Sequence, residues 1–501
     1  MKRRNFIQLS TLAGLALSLP PYACSPDGAE GKSMAAGFES LVSDLLLEWG
    51  NALVDLQIRQ PENPEVHGAI DCPACNKIHG RCMDAVYPLL YLADHTGESK
   101  YLESAILLME WSENVSLPDG SWTVIPDPKS WRGITVFGAI ALAEALHHHG
   151  QVLPPEVKET WLDRLGRAGE YIYQNFDLTF TNINYGFTAV YALHLLGRVL
   201  GRSDYLERSR FLARGMQDWF TEPNTLLFGE AKPSRAKSAK GLWGVDLGYN
   251  VEESLNGAVQ YALAEKDEAL LEPLTESLAG HLQFMLPDGA WDNSWGTRHY
   301  KWSYWGSRTT DGCQPAFGLL AGRNPAFGTA AFLNTELLSR CTAEGLLHGG
   351  LHYVTHGIKP CVHHTFTHAK ALTVLLDAEN ALPAITQQAP LPRAVADGIQ
   401  EFPEVAVHLL ARGDFRATVS TYDFIYKEHA QQGSGGSLCM LYHLQVGPLF
   451  AASMAKYLLV EVNNQQPNPN NEDIVLTPRL EAFDGQEWYT NLYDLQATVS
   501  A

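Results

Sequence analysis

At 501 residues the chain is too long for one small core and calls for two or more domains or one large repetitive one. Its 46% hydrophobic content is ordinary for a globular protein, and no apolar run of about 18 residues follows the N-terminus, so no membrane-spanning helix is expected in the mature chain. A net charge of −20 argues against broad attraction to nucleic acid or an anionic membrane and points to small or locally recognised partners.

The chain opens MKRRNFIQLSTLAGLALSLPPYAC, in which a basic Lys2-Arg3-Arg4 precedes a short apolar stretch, small residues and a cysteine. This predicts a signal peptide over 1–24 of the twin-arginine type and an exported protein, periplasmic or on the cell surface. Cys24 is either the lipid anchor of a lipoprotein or adjacent to an ordinary cleavage site. Next comes DCPACNKIHGRC, where Cys72, Cys75, His79 and Cys82 stand at a spacing that suits a structural zinc, a disulfide or buried free thiols.

Over 25–390 the apolar positions follow helical spacing, and six similar helix ends recur around Leu92, Ala143, Leu196, Leu263, Leu320 and Leu372. Their gaps of roughly 50 to 67 residues fit two helices plus connections. LPDGSW at 117–122 returns as LPDGAW at 286–291, a turn in which proline presets its own φ and glycine supplies φ > 0. Six helical hairpins closing into an (α/α)6 toroid are predicted. From 391 onward β-branched and aromatic runs separated by turn signals predict an antiparallel β-sheet or β-sandwich domain over 391–501.

Stepping back from each helix end reaches polar residues at its N-terminal end in every repeat: His79, Arg81 and Asp84; Arg132; Asn184 and Tyr185; Glu252 and Glu253; Arg308 and Asp311; His364 and His368. In a ring these would converge at one mouth. Taken singly, such residues are usually caps, but caps do not call for Arg81, Arg132, Tyr185 or paired glutamates. Glycoside hydrolysis needs a protonated and an ionised carboxyl, for which Glu252 or Glu253 with Asp311 is the leading pair, with Asp84 and Asp292 in reserve. The stretch WDNSWGTRHYKWSYWGSR offers Trp291, Trp295, Trp302 and Trp305 as a sugar-stacking platform, and Arg298 and Arg308 as grips for a uronate carboxylate; core packing is its plainer reading. No glycine-rich phosphate loop, GxSxG or HExxH is present.

Together with GYNVEESL, WDNSWGTR, YWGSRTTDGCQP and HHTFTHAKAL, this layout resembles exported bacterial toroid carbohydrate enzymes. It is similar in plan to the heparinase II/III-like polysaccharide lyases and most similar to glycoside hydrolase family 154. That resemblance implies a β-glucuronidase removing uronic acid from complex polysaccharides without a required cofactor. The alternatives are a uronate lyase using Asn184, Tyr185, His364 and His368, a sugar epimerase using the paired histidines, and a noncatalytic glycan-binding lipoprotein.

Overall fold

The computed structural model describes residues 34–74, 77–303, 308–351, 359–378, 380–387, 389–427, 432–454, 477–492 and 494–500. The leader and Cys24, with Cys75 and Trp305, lie outside them.

Twelve α-helices of six or more residues occur among the described residues: α1 Met34–Asp55, α2 Val86–Thr96, α3 Ser99–Trp111, α4 Thr135–His149, α5 Pro155–Asn175, α6 Ile183–Leu200, α7 Ser203–Ala213, α8 Leu255–Glu265, α9 Glu268–Leu282, α10 Gln314–Leu319, α11 Pro325–Arg340 and α12 Val362–Asp377. The even-numbered helices touch one another in succession, and α12 closes back on α2, so they form the inner wall of a ring. The odd-numbered helices lie outside it. The chain's first described helix completes the outer layer between α11 and α3: Phe38 packs on Phe332 with ring centroids 5.7 Å apart, Trp49 Nε1 donates to Thr342 Oγ1 at 3.0 Å and Tyr101 donates to Asn51 at 2.8 Å. The toroid is therefore closed by both ends of its own sequence.

The six recurring marks fall at the C-terminal ends of the six inner helices, and several are helix stops with a physical cause. Gly97 and Gly201 take left-handed φ of 71° and 66° after α2 and α6 and return their N–H to Ala93 O and Gly197 O. This closes the last turn where the chain must reverse into an outer helix. The two Pro-Asp-Gly turns are built alike: Gly120 and Gly289 have φ of 88° and 85° and donate to Leu117 O and Leu286 O. A Cβ on Gly120 would lie 2.1 Å from Arg167 O, so both backbone angle and space require glycine there.

The sheet that follows is a five-stranded antiparallel meander, β1 Gly398–Phe402, β2 Val407–Arg412, β3 Phe415–Ser420, β4 Ser437–His443 and β5 Gly447–Ala451, with a separate hairpin, β6 Glu481–Phe483 and β7 Trp488–Thr490. It is fastened to the ring by Arg393 on Asp292 at 2.6 Å, Lys240 Nζ on the carbonyls of Thr421, Ser434 and Ala497, and Phe284 against Phe402. Among the described residues no helix is long and apolar enough to cross a membrane.

Candidate active site

The N-terminal ends of the inner helices meet at one mouth, as the register of the repeats predicts. What they bring together is a belt of alternating charges. Lys370 of α12 contacts Asp84 at 3.0 Å, and Asp84 contacts Arg81 at 2.9 Å. Arg81 reaches Glu253 at 3.1 Å, and Asn184 at the start of α6 donates to the other Glu253 oxygen at 2.6 Å. The Asn184 backbone N–H binds Glu230, which pairs with Arg298 at 2.7 Å. Asp246 then receives Arg298 at 3.6 Å and Arg308 at 2.8 Å, and Arg308 holds Asp311 together with Asn293. Most of these groups are buried, so each charge needs its neighbour to offset desolvation.

The belt is set by the segment before α8. Asp246 accepts the Tyr249 N–H at 3.0 Å, a cap that starts the turn Leu247–Tyr249, and the chain then passes through a π-helical turn, Asn250–Ser254, before regular α-helix resumes. Such an extra residue in a helix re-aims the side chains around it and recurs at functional sites. Gly248 lets this turn approach the belt: a Cβ there would fall 1.8 Å from Arg308 Nη2 and 1.9 Å from Asp311 Oδ2.

Two side chains at the mouth stand apart from these pairings. Glu252 is half-buried; its backbone carbonyl accepts from Asn256, but its carboxyl group has no hydrogen-bond or ion-pair partner among the described residues. Burial, then the charges of Asp311 and Glu253, push its carboxyl up to about 8. Asp311 is also raised by burial, but Arg308 is bonded to it. Glu252, with no such cation in contact, is the one that holds a proton at neutral pH. His364 is kept uncharged down to about 3 by burial, His368 and Arg308. Its neighbour His368 is fixed, with its ring nitrogens on His364 O at 2.7 Å and Thr310 O at 2.9 Å.

Tyr249, within GYNVEESL, also lies at the mouth, a placement that spacing did not reveal. The Arg298 and Arg308 guanidinium carbons lie 4.3 and 4.8 Å from its ring centroid, and Lys301 Nζ donates to its hydroxyl at 3.2 Å. Three cations thus surround its ring and hydroxyl. Beneath the mouth lies a cavity lined in part by Arg81, Glu252, Glu253, His368 and Lys370.

Several expected residues do other work. Trp291, Trp295 and Trp302 are 0%, 1% and 3% exposed and pack on Phe317, on Phe284 and Tyr422, and on the Trp291 carbonyl; no ring face is open to a sugar. Arg298 and Arg308 grip the protein's own carboxylates rather than a free one. Arg132 binds Asp119 at the surface at 2.8 Å. The reserve carboxylate Asp292 is buried against Arg393 and Thr418 at the joint with the sheet. Tyr185 lies at the mouth, accepting from Trp131 Nε1 at 2.9 Å, and burial followed by Glu253 holds it as a neutral phenol. His79 caps the turn Gly80–Ala85, accepting from Arg81 N, and is kept neutral to about 4 by burial and Arg81. Cys72 Sγ lies 3.8 Å from Cys361 Sγ, and Cys72, Cys82 and His79 do not gather as a metal-sized cluster among the described residues.

Fold and site together define a helical toroid with a charged mouth joined to an antiparallel sheet. Sequence comparison places it more closely: the ulvan lyase N-terminal domain matches residues 46–394 and the ulvan lyase C-terminal domain residues 399–501, so the chain belongs to the ulvan lyase family. A broad-specificity ulvan lyase from Formosa agariphila is 57% identical over 505 residues, covering 100% of this chain and 79% of that protein. Solved structures are more distant. A family 76 glycoside hydrolase from a bovine Bacteroides thetaiotaomicron strain has a TM-score of 0.49 at 11% identity over 68% of this chain and 78% of its own. An unsaturated glucuronyl hydrolase specific for heparin has a TM-score of 0.45 at 11% identity over 68% and 98%. These two are too remote to bear on chemistry. The resemblance to glycoside hydrolase family 154, and with it the β-glucuronidase and hydrolase readings, is corrected by the family match and by the lyase relative. Carboxylates serve a hydrolase and a lyase alike, and their spacing in sequence does not separate the two.

Proposed function

We propose that the protein is a polysaccharide lyase that cleaves ulvan or a similar uronate-containing polysaccharide by β-elimination. The observation that carries this reading is the 57% identity to a broad-specificity ulvan lyase along the entire chain. Elimination first requires the uronate carboxylate to be neutralised so that C5–H becomes acidic. A protonated Glu252 donates a hydrogen bond to that carboxylate, where an ionised group would repel it. His364, uncharged and with no hydrogen-bond partner for its ring among the described residues, takes the C5 proton, and the incoming carboxylate offsets the nearby cation that disfavours imidazolium. The C5–H electron pair becomes the C4=C5 double bond, the C4–O4 bond breaks, and O4 leaves with its electron pair. Tyr249 gives O4 its proton, because Arg298, Lys301 and Arg308 stabilise the phenolate that remains. No water is consumed. The expected signal peptide suits an exported enzyme meeting a polysaccharide outside the cell.

Incubation with ulvan in 18O-labelled water tests the reaction. Elimination gives ultraviolet absorbance from a conjugated uronate in step with new reducing ends and no label at the cut. Reducing ends that carry 18O without absorbance would overturn it.

A further inference from the structure

At the opposite end of the ring, where α2, α4 and α12 finish, a second polar cluster lies outside everything the mouth uses. Asp94, His95 and His149 bring one carboxylate oxygen and two imidazole nitrogens within 4.8 Å of one another. His149 Nδ1 is 2.9 Å from Asp94 Oδ2, close to the roughly 3.3 Å that separates ligands on a tetrahedral zinc. We propose that these three residues bind a divalent first-row transition metal, zinc above all, as a staple on the closed end of the toroid.

The surroundings are those of a metal site. A ligating histidine ordinarily directs its second nitrogen to an acceptor that fixes its tautomer. His149 does so through Nε2 to Asp377 Oδ2 at 3.1 Å, and Asp377 is itself held by the Tyr87 hydroxyl. His95 does so through Nδ1 to Tyr91 O at 3.0 Å, which leaves Nε2 as its ligand atom, and its ring stacks on Tyr91 at 3.9 Å. Gln151 donates to Asp94 Oδ2 at 2.7 Å and orients the carboxylate. Two imidazoles and one carboxylate suit zinc rather than calcium or magnesium, which favour oxygen. His149 is buried while His95 is exposed, so the fourth position faces water. On binding, the Nδ1 proton of His149 leaves to solvent and the metal takes that lone pair. The ligands come from α2 and α4, and Asp377 couples them to α12, so the metal would tie the first two inner helices to the one that closes the ring.

The test uses tag-free full-length protein freed of metal with a chelator and titrated with zinc chloride by calorimetry, alongside melting temperatures. One zinc per chain and a rise of several degrees are expected. His95→Ala, a change at an exposed side chain, should melt like the wild type without metal, bind zinc at least about tenfold more weakly and lose the rise. Asp94→Asn should do the same. Absence of zinc binding overturns the proposal and leaves His149 as a hydrogen-bonded link between Asp94 and Asp377. So does one zinc held as tightly by both variants, which would put the metal elsewhere, for example beside Cys72.

Discussion

Glu252 differs from its neighbour Glu253 by one position and in every chemical respect. Glu253 has Arg81 on one oxygen and Asn184 on the other, and both its oxygens are committed to the belt. Glu252 has neither, and its carboxyl is raised from 4.5 to about 8. The sign of the pH dependence follows. Between the unfolded value and about 8 the native state binds more protons than the unfolded chain, so this group lowers stability as pH rises through that window. In the same window Glu252 remains protonated and able to meet a uronate, and that capacity disappears above about 8. Glu252→Gln, a permanent stand-in for the acid form, should therefore raise the melting temperature at pH 8.5 by a few degrees while leaving it nearly unchanged at pH 5. It should also retain part of the turnover and lose the alkaline limb of the pH–rate profile. An unchanged alkaline limb in this variant would sink the role given to Glu252.

At the scale of elements, the site depends on how the segment before α8 leaves ideal helix geometry. Gly248 sits where the turn presses on the Arg308–Asp311 pair, so Gly248→Ala must displace one or the other. The expected result is a loss of turnover of about a hundredfold, comparable to misplacing a catalytic group by roughly an ångström, with the helical circular dichroism kept. Wild-type turnover in that variant would show that the pair need not be held at this position. This local geometry was not legible in the sequence, although much around it was. The repeat marks predicted the inner helices because a reversing chain needs a stop signal, as at Gly97 and Gly201, and a stop signal is local. The mouth register was legible for the same reason. The pairings of Arg298 with Glu230 and of Arg308 with Asp246 were not, because each spans more than 60 positions of sequence and forms only when two successive connections of the ring pack together. Trp291 and Trp295 also misled. Their spacing of four is the same for rings facing a sugar as for rings packed inward, and only tertiary packing decides it, Trp291 on Phe317 and Trp295 on Phe284 and Tyr422.

At the scale of the whole molecule, ring and sheet are held together by buried polar contacts as much as by apolar ones. Asp292 is fully buried in the connection before α10 and takes Arg393 at 2.6 Å along with the Thr418 hydroxyl from β3. Arg393 binds Thr418 as well, and Arg416 of β3 returns to the carbonyls of Arg393 and Ala394. The segment Pro392–Val395 is thus a clasp, with one carboxylate at its centre and no route to solvent. Arg393→Met fills much of the same volume but strands that carboxylate, a loss of about 3 to 5 kcal/mol for breaking one side of a buried pair. Asp292→Asn in the same background removes the stranded charge and should recover a large part of it. The two variants together separate charge from packing: if Arg393→Met alone were neutral in urea denaturation, the clasp would hold by shape, and if the double variant were no better, the cost would be lost packing. Because this clasp joins the sheet to the segment that also delivers Arg298, Arg308 and Asp311 to the mouth, destabilising it should lower the single unfolding midpoint of ring and sheet together rather than split the transition in two. Followed by near-ultraviolet circular dichroism from the buried tryptophans and by far-ultraviolet signal from the helices, coincident curves are expected in both variants, and separated curves would mean that the ring stands without its sheet.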